Sequence, residues 1–289
     1  MRKSNSPLRY PGGKSKISCF IRDLLHSNNI QGNYVEPFAG GAGVAINLLL
    51  SHEIQDIYLN DKDKSIYAFW YSILNYTDSF IDRIRNTEIT VEEFNKQKQV
   101  QQNKDSATLL ELGFSTFFLN RTTRSGIIKA GPIGGKNQTG KYLIDVRFNK
   151  KNLIKRIQEI TKHKDHIHLY NEDAVVFLSK YVTKLDPHNT LVYLDPPYYE
   201  RGRELYMNFY QKGDHVKLYQ AIKKLPQLWM VSYDDQEEIL SIYKNIKFKF
   251  YFDLNYSLAI KRKATELFFF KEDVKLPQTY GNSLVKIPN

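Results

Sequence analysis

Residues 34–61 read YVEPFAGGAGVAINLLLSHEIQDIYLND, and the fold is decided there. The apolar run 34–38 is predicted to be a short buried strand. It enters a turn, Ala39-Gly40-Gly41-Ala42-Gly43, whose glycines open backbone conformations that side chains rarely reach. Residues 44–50 are apolar and predict a helix. Residues 56–61 (DIYLND) predict a second strand that ends on polar Asn60 and Asp61. Strand, glycine turn, helix, strand and terminal acid open a doubly wound α/β sheet.

Outward from this unit, residues 64–74 predict a second helix. Residues 77–119 read as helical and polar, with Thr90 as an N-cap and Glu93 at the capping-box position. Residues 121–140 form a loop rich in Gly, Thr and basic residues. We therefore expect an inserted, mostly helical subdomain over 76–165, flanked by 1–75 and 166–289. The alternation resumes with strand 166–170, helix 174–181 and strand 191–194. It continues with strand 228–233, helix 236–243 and strands 248–254 and 265–270. The last two are close in sequence, which predicts an antiparallel pair at one sheet edge.

The chain has 289 residues, 42% hydrophobic and 25% charged, which excludes a disordered or collagen-like protein. Its single cysteine, Cys19, excludes a disulfide framework and a multi-cysteine metal site. No stretch approaches about 18 apolar residues, and the N-terminus lacks the apolar core of a signal peptide. The expectation is a soluble, cytoplasmic protein without a membrane partner. The net charge is +11, and it is concentrated. Between residues 114 and 156 there are ten basic residues, among them Arg121, Arg124, Lys129, Lys136, Lys141 and Arg147, against one acid, Asp145. Nine of the eleven net charges sit there. Such a block is the electrostatic footprint of a polyanion-binding surface, nucleic acid above all.

Two nucleotide motifs fail on single positions. A phosphate loop ending at Gly13-Lys14-Ser15 would need glycine where Leu8 stands, and a dinucleotide fingerprint from Gly41 would need Gly or Ala at Ile46. What remains is a glycine turn with Asp61 at the end of the next strand. That carboxylate suits two ribose hydroxyls, and equally the turn could be structural. Asp195-Pro196-Pro197-Tyr198 says more. The apolar strand before it delivers Asp195 to the sheet's carboxyl edge, where open α/β sheets place their sites. Two prolines stiffen the chain and remove two N–H donors. Asp195 and the Pro196 carbonyl can then accept both hydrogens of an amino group, while Tyr198 offers a face to a planar ring. Asn120-Arg121-Thr122-Thr123-Arg124-Ser125-Gly126 opens the basic loop with residue types that suit phosphates and base edges.

Together these features resemble the D12 (Dam-like) class of S-adenosyl-L-methionine-dependent DNA adenine-N6 methyltransferases, over essentially the whole chain. Leu8 to Lys14 resembles the class's N-terminal motif. Val35-Glu36-Pro37-Phe38-Ala39-Gly40 looks like its cofactor loop, Asn60-Asp61 its ribose-binding acid, and Asp195–Tyr198 its catalytic DPPY tetrapeptide. The last loop glycine, Gly43, stands one place later than in the common pattern. The resemblance implies a Rossmann-like methyltransferase sheet with an antiparallel edge pair and an inserted DNA-recognition subdomain. It implies Tyr10, Lys14, Phe38, Gly40, Asp61, Asp173, Ala174 and Asp195 at the cofactor. Asp195, Pro196, Pro197 and Tyr198 would meet a flipped adenine, with no metal. Asn120, Arg121, Thr122, Arg124, Ser125, Lys129, Lys136, Lys141 and Arg147 would face double-stranded DNA. Ser232-Tyr233 would shape the pocket. Arg124-Ser125-Gly126 departs from the aromatic-Asn-Gly run of GATC-specific relatives, so the resemblance does not carry GATC over as the recognition sequence. A partner restriction endonuclease is compatible with the class, and monomer is the default state. The residues alone leave three other readings open: an N4-cytosine methyltransferase, an RNA adenine methyltransferase, and a non-catalytic nucleic-acid-binding module on the same scaffold.

Overall fold

The computed structural model describes residues 5–9, 15–199, 210–255, 263–280 and 284–288. Eight strands form one sheet in the order β3-β2-β1-β4-β5-β7-β6-β8. Strands β1 (Asn33–Glu36), β2 (Asp56–Asn60), β3 (Ile167–Tyr170), β4 (Thr190–Leu194) and β5 (Leu228–Asp234) run parallel. Strands β6 (Lys249–Asn255) and β7 (Lys263–Phe270) pair antiparallel, as expected from their spacing. The pair is not outermost, because β8 (Leu284–Lys286), too short for a periodic signal, closes that edge. The strand order reverses between β1 and β4, the kind of switch point at which such sheets open a crevice beyond their carboxyl ends.

Burial explains why these segments are strands. Every residue of β4 is buried, as a central parallel strand covered on both faces requires. Helix α2 (Gly43–Leu50) follows the glycine turn and buries five of its eight residues, so it too is interior. Helix α1 (Ser15–Ser27) precedes the first strand, and α3 (Lys64–Asn75) follows β2. Asp63 caps α3 by accepting from Ser65 N at 2.9 Å.

Residues 76–165 contain α4 (Thr77–Asn86), α5 (Val91–Gln102), α6 (Leu109–Thr122) and α7 (Lys150–Thr161). Thr90 does cap α5, its hydroxyl accepting from Glu93 N at 3.1 Å, but the Glu93 carboxylate turns to Gln97. A complete capping box is at Thr108–Glu111, at the start of α6. Helix α6 is not polar: all eleven residues from Leu112 to Thr122 are buried. It lies so close to α3 that a Cβ on Gly113 would stand 2.4 Å from the Ala68 carbonyl oxygen. Phe69 of α3 stacks on Phe117 of α6 with centroids 6.0 Å apart. Phe80, Phe114, Ile157 and the sheet residues Ile57 and Leu59 belong to one hydrophobic cluster, so these helices and the sheet share a core. Helices α8 (Ala174–Lys180), α9 (Lys212–Ile222) and α10 (Glu237–Ile242) pack around β4 and β5. Among the described residues no helix is long and apolar enough to cross a membrane.

Candidate active site and nucleic-acid interface

Four neighbouring strands deliver polar residues to one edge. Strand β1 ends at Glu36, β2 at Asn60 with Asp61 next, β3 just before Asn171-Glu172-Asp173, and β4 just before Asp195. Asn60 ties three of these ends together. Its amide donates to the Pro37 carbonyl at 3.0 Å and the Glu172 carbonyl at 3.1 Å, while its oxygen accepts from Glu172 N at 2.9 Å. Asn171 donates to the Asp61 carbonyl at 2.7 Å.

The glycine turn takes the strained geometry its composition allows. Gly40 has φ 46° and Ala42 has φ 45°, both left-handed. The Gly40 amide donates to Asp61 Oδ2 at 2.9 Å, its carbonyl accepts from Trp70 Nε1 at 2.9 Å, and Asp63 N donates to Asp61 Oδ1 at 2.9 Å. The buried Glu36 carboxylate accepts from Ala45 N at 3.2 Å in the first turn of α2 and from the Tyr34 hydroxyl at 3.1 Å. Burial pushes the Asp61 carboxyl up to about 7, and Asp63 adds to this against the two backbone donors. A desolvated carboxylate already held by two backbone N–H donors has acceptor capacity left for hydroxyl donors, so the donor set fits a ribose.

Asp173 caps α8, accepting from Val175 N at 3.0 Å, and pairs with Lys62 at 3.0 Å. Ala174 is buried behind it. The half-buried Phe38 meets Tyr210 edge-to-face with centroids 5.6 Å apart. Burial, then Asp173, Asp214 and Asp61, raise the Tyr210 hydroxyl far above its usual range, so this side chain lies near all three acids. Sequence reading missed Tyr210 because no motif marks it. Tyr10 and Lys14 lie outside the described residues.

Asp195 is half-buried at the end of β4, Pro196 is buried, and Pro197 and Tyr198 are partly exposed. Ser232 of β5 donates to Asp195 Oδ1 at 2.9 Å, and the Tyr193 hydroxyl lies 2.9 Å from Ser232 Oγ. Just beyond the tetrapeptide, Tyr199 N donates to Asp234 Oδ1 at 3.2 Å, which anchors that turn to the end of β5.

The basic region divides in two. Asn120, Arg121 and Thr122 are the buried C-terminal turn of α6, not part of the loop. Asn120 clamps the chain by accepting from Arg9 N at 2.6 Å and donating to the Arg9 carbonyl at 2.7 Å and the Gly126 carbonyl at 3.0 Å. Arg121 Nε donates to the Pro7 carbonyl at 2.6 Å, and the Thr122 hydroxyl returns to the Phe118 carbonyl at 2.8 Å. Burial first, then Arg156, Arg9 and Arg147, lower the Arg121 pKa, so four guanidinium groups gather here. Arg9 and Arg156 donate to the Thr123 and Ser6 carbonyls. Arg124, Ser125, Lys129, Lys136, Lys141 and Arg147 are exposed. Among them stand the exposed Tyr142, Leu143 and Val146, which a count of charges passes over.

The chain is 24% identical over 237 residues to the type II methyltransferase M.MjaIII of Methanocaldococcus jannaschii, covering 75% of this chain and 79% of that protein. Among solved structures, the rRNA methyltransferase aviRa from Streptomyces viridochromogenes overlays with a TM-score of 0.38 at 9% identity, over 94% of this chain and 89% of that one. The family model for D12 class N6 adenine-specific DNA methyltransferases matches residues 10–254, from the N-terminal motif through β6, and the chain belongs to that family.

Proposed function

We propose that the protein transfers a methyl group from S-adenosyl-L-methionine to the N6 nitrogen of an adenine flipped out of duplex DNA. The observation that carries this reading is the placement of Asp195 at the carboxyl end of β4, on the same sheet edge as Asp61 and Asp173. Asp61 would hold the ribose hydroxyls, Asp173 and Ala174 the adenine end, and Phe38 with Gly40 the floor. When bound, the cofactor supplies a sulfonium methyl: an N–C bond forms as the C–S bond breaks, its electron pair stays on sulfur, and one N–H proton then leaves to water.

The chain's own task is orientation. The adenine amine is a weak nucleophile because its lone pair is delocalised into the ring. Asp195 and the Pro196 carbonyl accept its two hydrogens, which favours a pyramidal nitrogen with a directed lone pair. Holding reactants in line supplies much of the acceleration. Extruding the base costs about a few kcal/mol, and stacking on Tyr198 offsets roughly 1–3 kcal/mol of it.

Residues 76–165 act as the target-recognition domain in this reading, with Arg124, Ser125, Lys129, Lys136, Lys141 and Arg147 toward the duplex. Asn120 and Thr122 act behind that surface by shaping it. Arg121 stays charged at neutral pH, and a backbone phosphate would relieve the repulsion in its cluster.

Expression in a host lacking adenine methylation, followed by modification-sensitive single-molecule sequencing, tests the reading. N6-methyladenine at one short motif is the expected result. Asp195→Ala should abolish it while duplex binding persists; full methylation by that variant would refute the assignment.

A further inference from the structure

Strands β4 and β5 are parallel with Leu194 opposite Val231, so the next residues, Asp195 and Ser232, come side by side. Residues two apart on a strand share a face, which brings Tyr193 beneath Asp195. The Ser232 hydroxyl donates its single proton to Asp195 Oδ1 at 2.9 Å. Its oxygen is then the acceptor for the Tyr193 hydroxyl at 2.9 Å. Tyr193 is 2% exposed and Ser232 1%, so solvent does not compete for these bonds. Both residues stand on strands, so the sheet register itself sets the spacing.

We propose that Tyr193 and Ser232 are positioning residues for methyl transfer. They form a relay that fixes the rotation of the Asp195 carboxylate and holds it in its accepting, ionised form. This rests on Asp195 being the amine acceptor. A carboxylate that takes a hydrogen bond from a buried hydroxyl is favoured in its charged state. The relay also holds Oδ1 from the sheet side, so the group meets the amine at one angle. Neither residue touches the reacting atoms; both act through Asp195.

The test is steady-state transfer of labelled methyl to plasmid DNA by the full chain, comparing wild type, Ser232→Ala, Ser232→Thr and Tyr193→Phe across pH. Loss of a hydrogen bond to a charged group predicts a fall in kcat of roughly 10- to 100-fold for Ser232→Ala. KM for cofactor and DNA should stay within about twofold, because ground-state binding does not use the relay. The acidic limb of the kcat profile should move to higher pH. Tyr193→Phe should move kcat and the acidic limb the same way by less, and Ser232→Thr, which keeps the hydroxyl, should recover the wild-type profile.

A Ser232→Ala enzyme with wild-type kcat, or one with lowered kcat and an unmoved pH profile, overturns the relay. If that variant does not fold, Tyr193→Phe is judged by the same two criteria. Wild-type protein that transfers no methyl group would instead overturn the reading of Asp195 itself.

Discussion

With the Asp61 carboxyl held at about 7 by burial and by Asp63, the cofactor binding proposed for it should be sensitive to pH in the physiological range. Ribose hydroxyls find acceptors on both oxygens of a carboxylate, whereas protonation turns one of them into a donor and removes the charge, so binding favours the ionised form. One unit below such a pKa about one molecule in eleven is ionised, and one unit above about ten in eleven. Cofactor affinity should therefore rise about tenfold between roughly pH 6 and pH 8, with proton release on binding in the lower half of that window.

Folding stability carries the opposite sign. The folded carboxyl is raised from 3.8 to about 7, so the folded state keeps a proton that the unfolded chain has already lost. That contribution is fully present below about pH 4 and declines as pH rises through about 7, by at most roughly 4 kcal/mol. Calorimetric titration of the cofactor, in two buffers of different ionisation enthalpy, measures affinity and proton release together. Asp61→Asn is neutral throughout, and comparing it with wild type removes the cofactor's own titration. A wild-type dissociation constant that is flat across the window, or an equal slope in Asp61→Asn, would refute the reasoning.

The remaining predictions concern the inserted region. Arg124→Ala should weaken duplex binding and reduce the slope of log affinity against log salt by about one, with cofactor affinity unchanged; equal slopes would remove Arg124 from the phosphate contacts. Gly113→Ala forces a Cβ to within 2.4 Å of the Ala68 carbonyl oxygen. It should cost about 1–3 kcal/mol through overpacking, despite a helix-propensity gain of about 1 kcal/mol. A melting temperature equal to or above wild type would mean that α3 and α6 can separate without loss.

The parts legible in the sequence are those governed by local chemistry. The glycine turn must follow β1 because Gly40 and Ala42 adopt left-handed conformations there, and Asp61 answers it from the end of β2. The proline pair after β4 marks a strand end whatever surrounds it. What depends on distant partners was less visible. Arg121 and Arg124 are identical letters three positions apart, yet one is turned inward by the end of α6 and the other outward. Ser232 could be assigned to a pocket but not to Asp195, because their contact exists only in the β4–β5 register. Helix α9 and strand β8 lie beside the region 200–209 and at the end of the chain, where no motif anchors a reading.

The segment 5–9 runs between the two halves of the site. Asn5 N donates to Asn47 Oδ1 of α2 at 3.1 Å, and Ser6 donates to the Gly41 carbonyl of the cofactor loop. On the other side, the segment's backbone is held by Asn120, Arg121 and Arg156. In the proposed function, a cofactor that shifted the glycine loop would pull on the cation cluster, and DNA that drew the cations together would pull on the loop. Thermodynamic reciprocity then applies: whatever factor the cofactor adds to DNA affinity, DNA adds to cofactor affinity. In the proposed function, a strap of five residues would thus couple the affinities for the two substrates equally in both directions, at a place where neither one reacts.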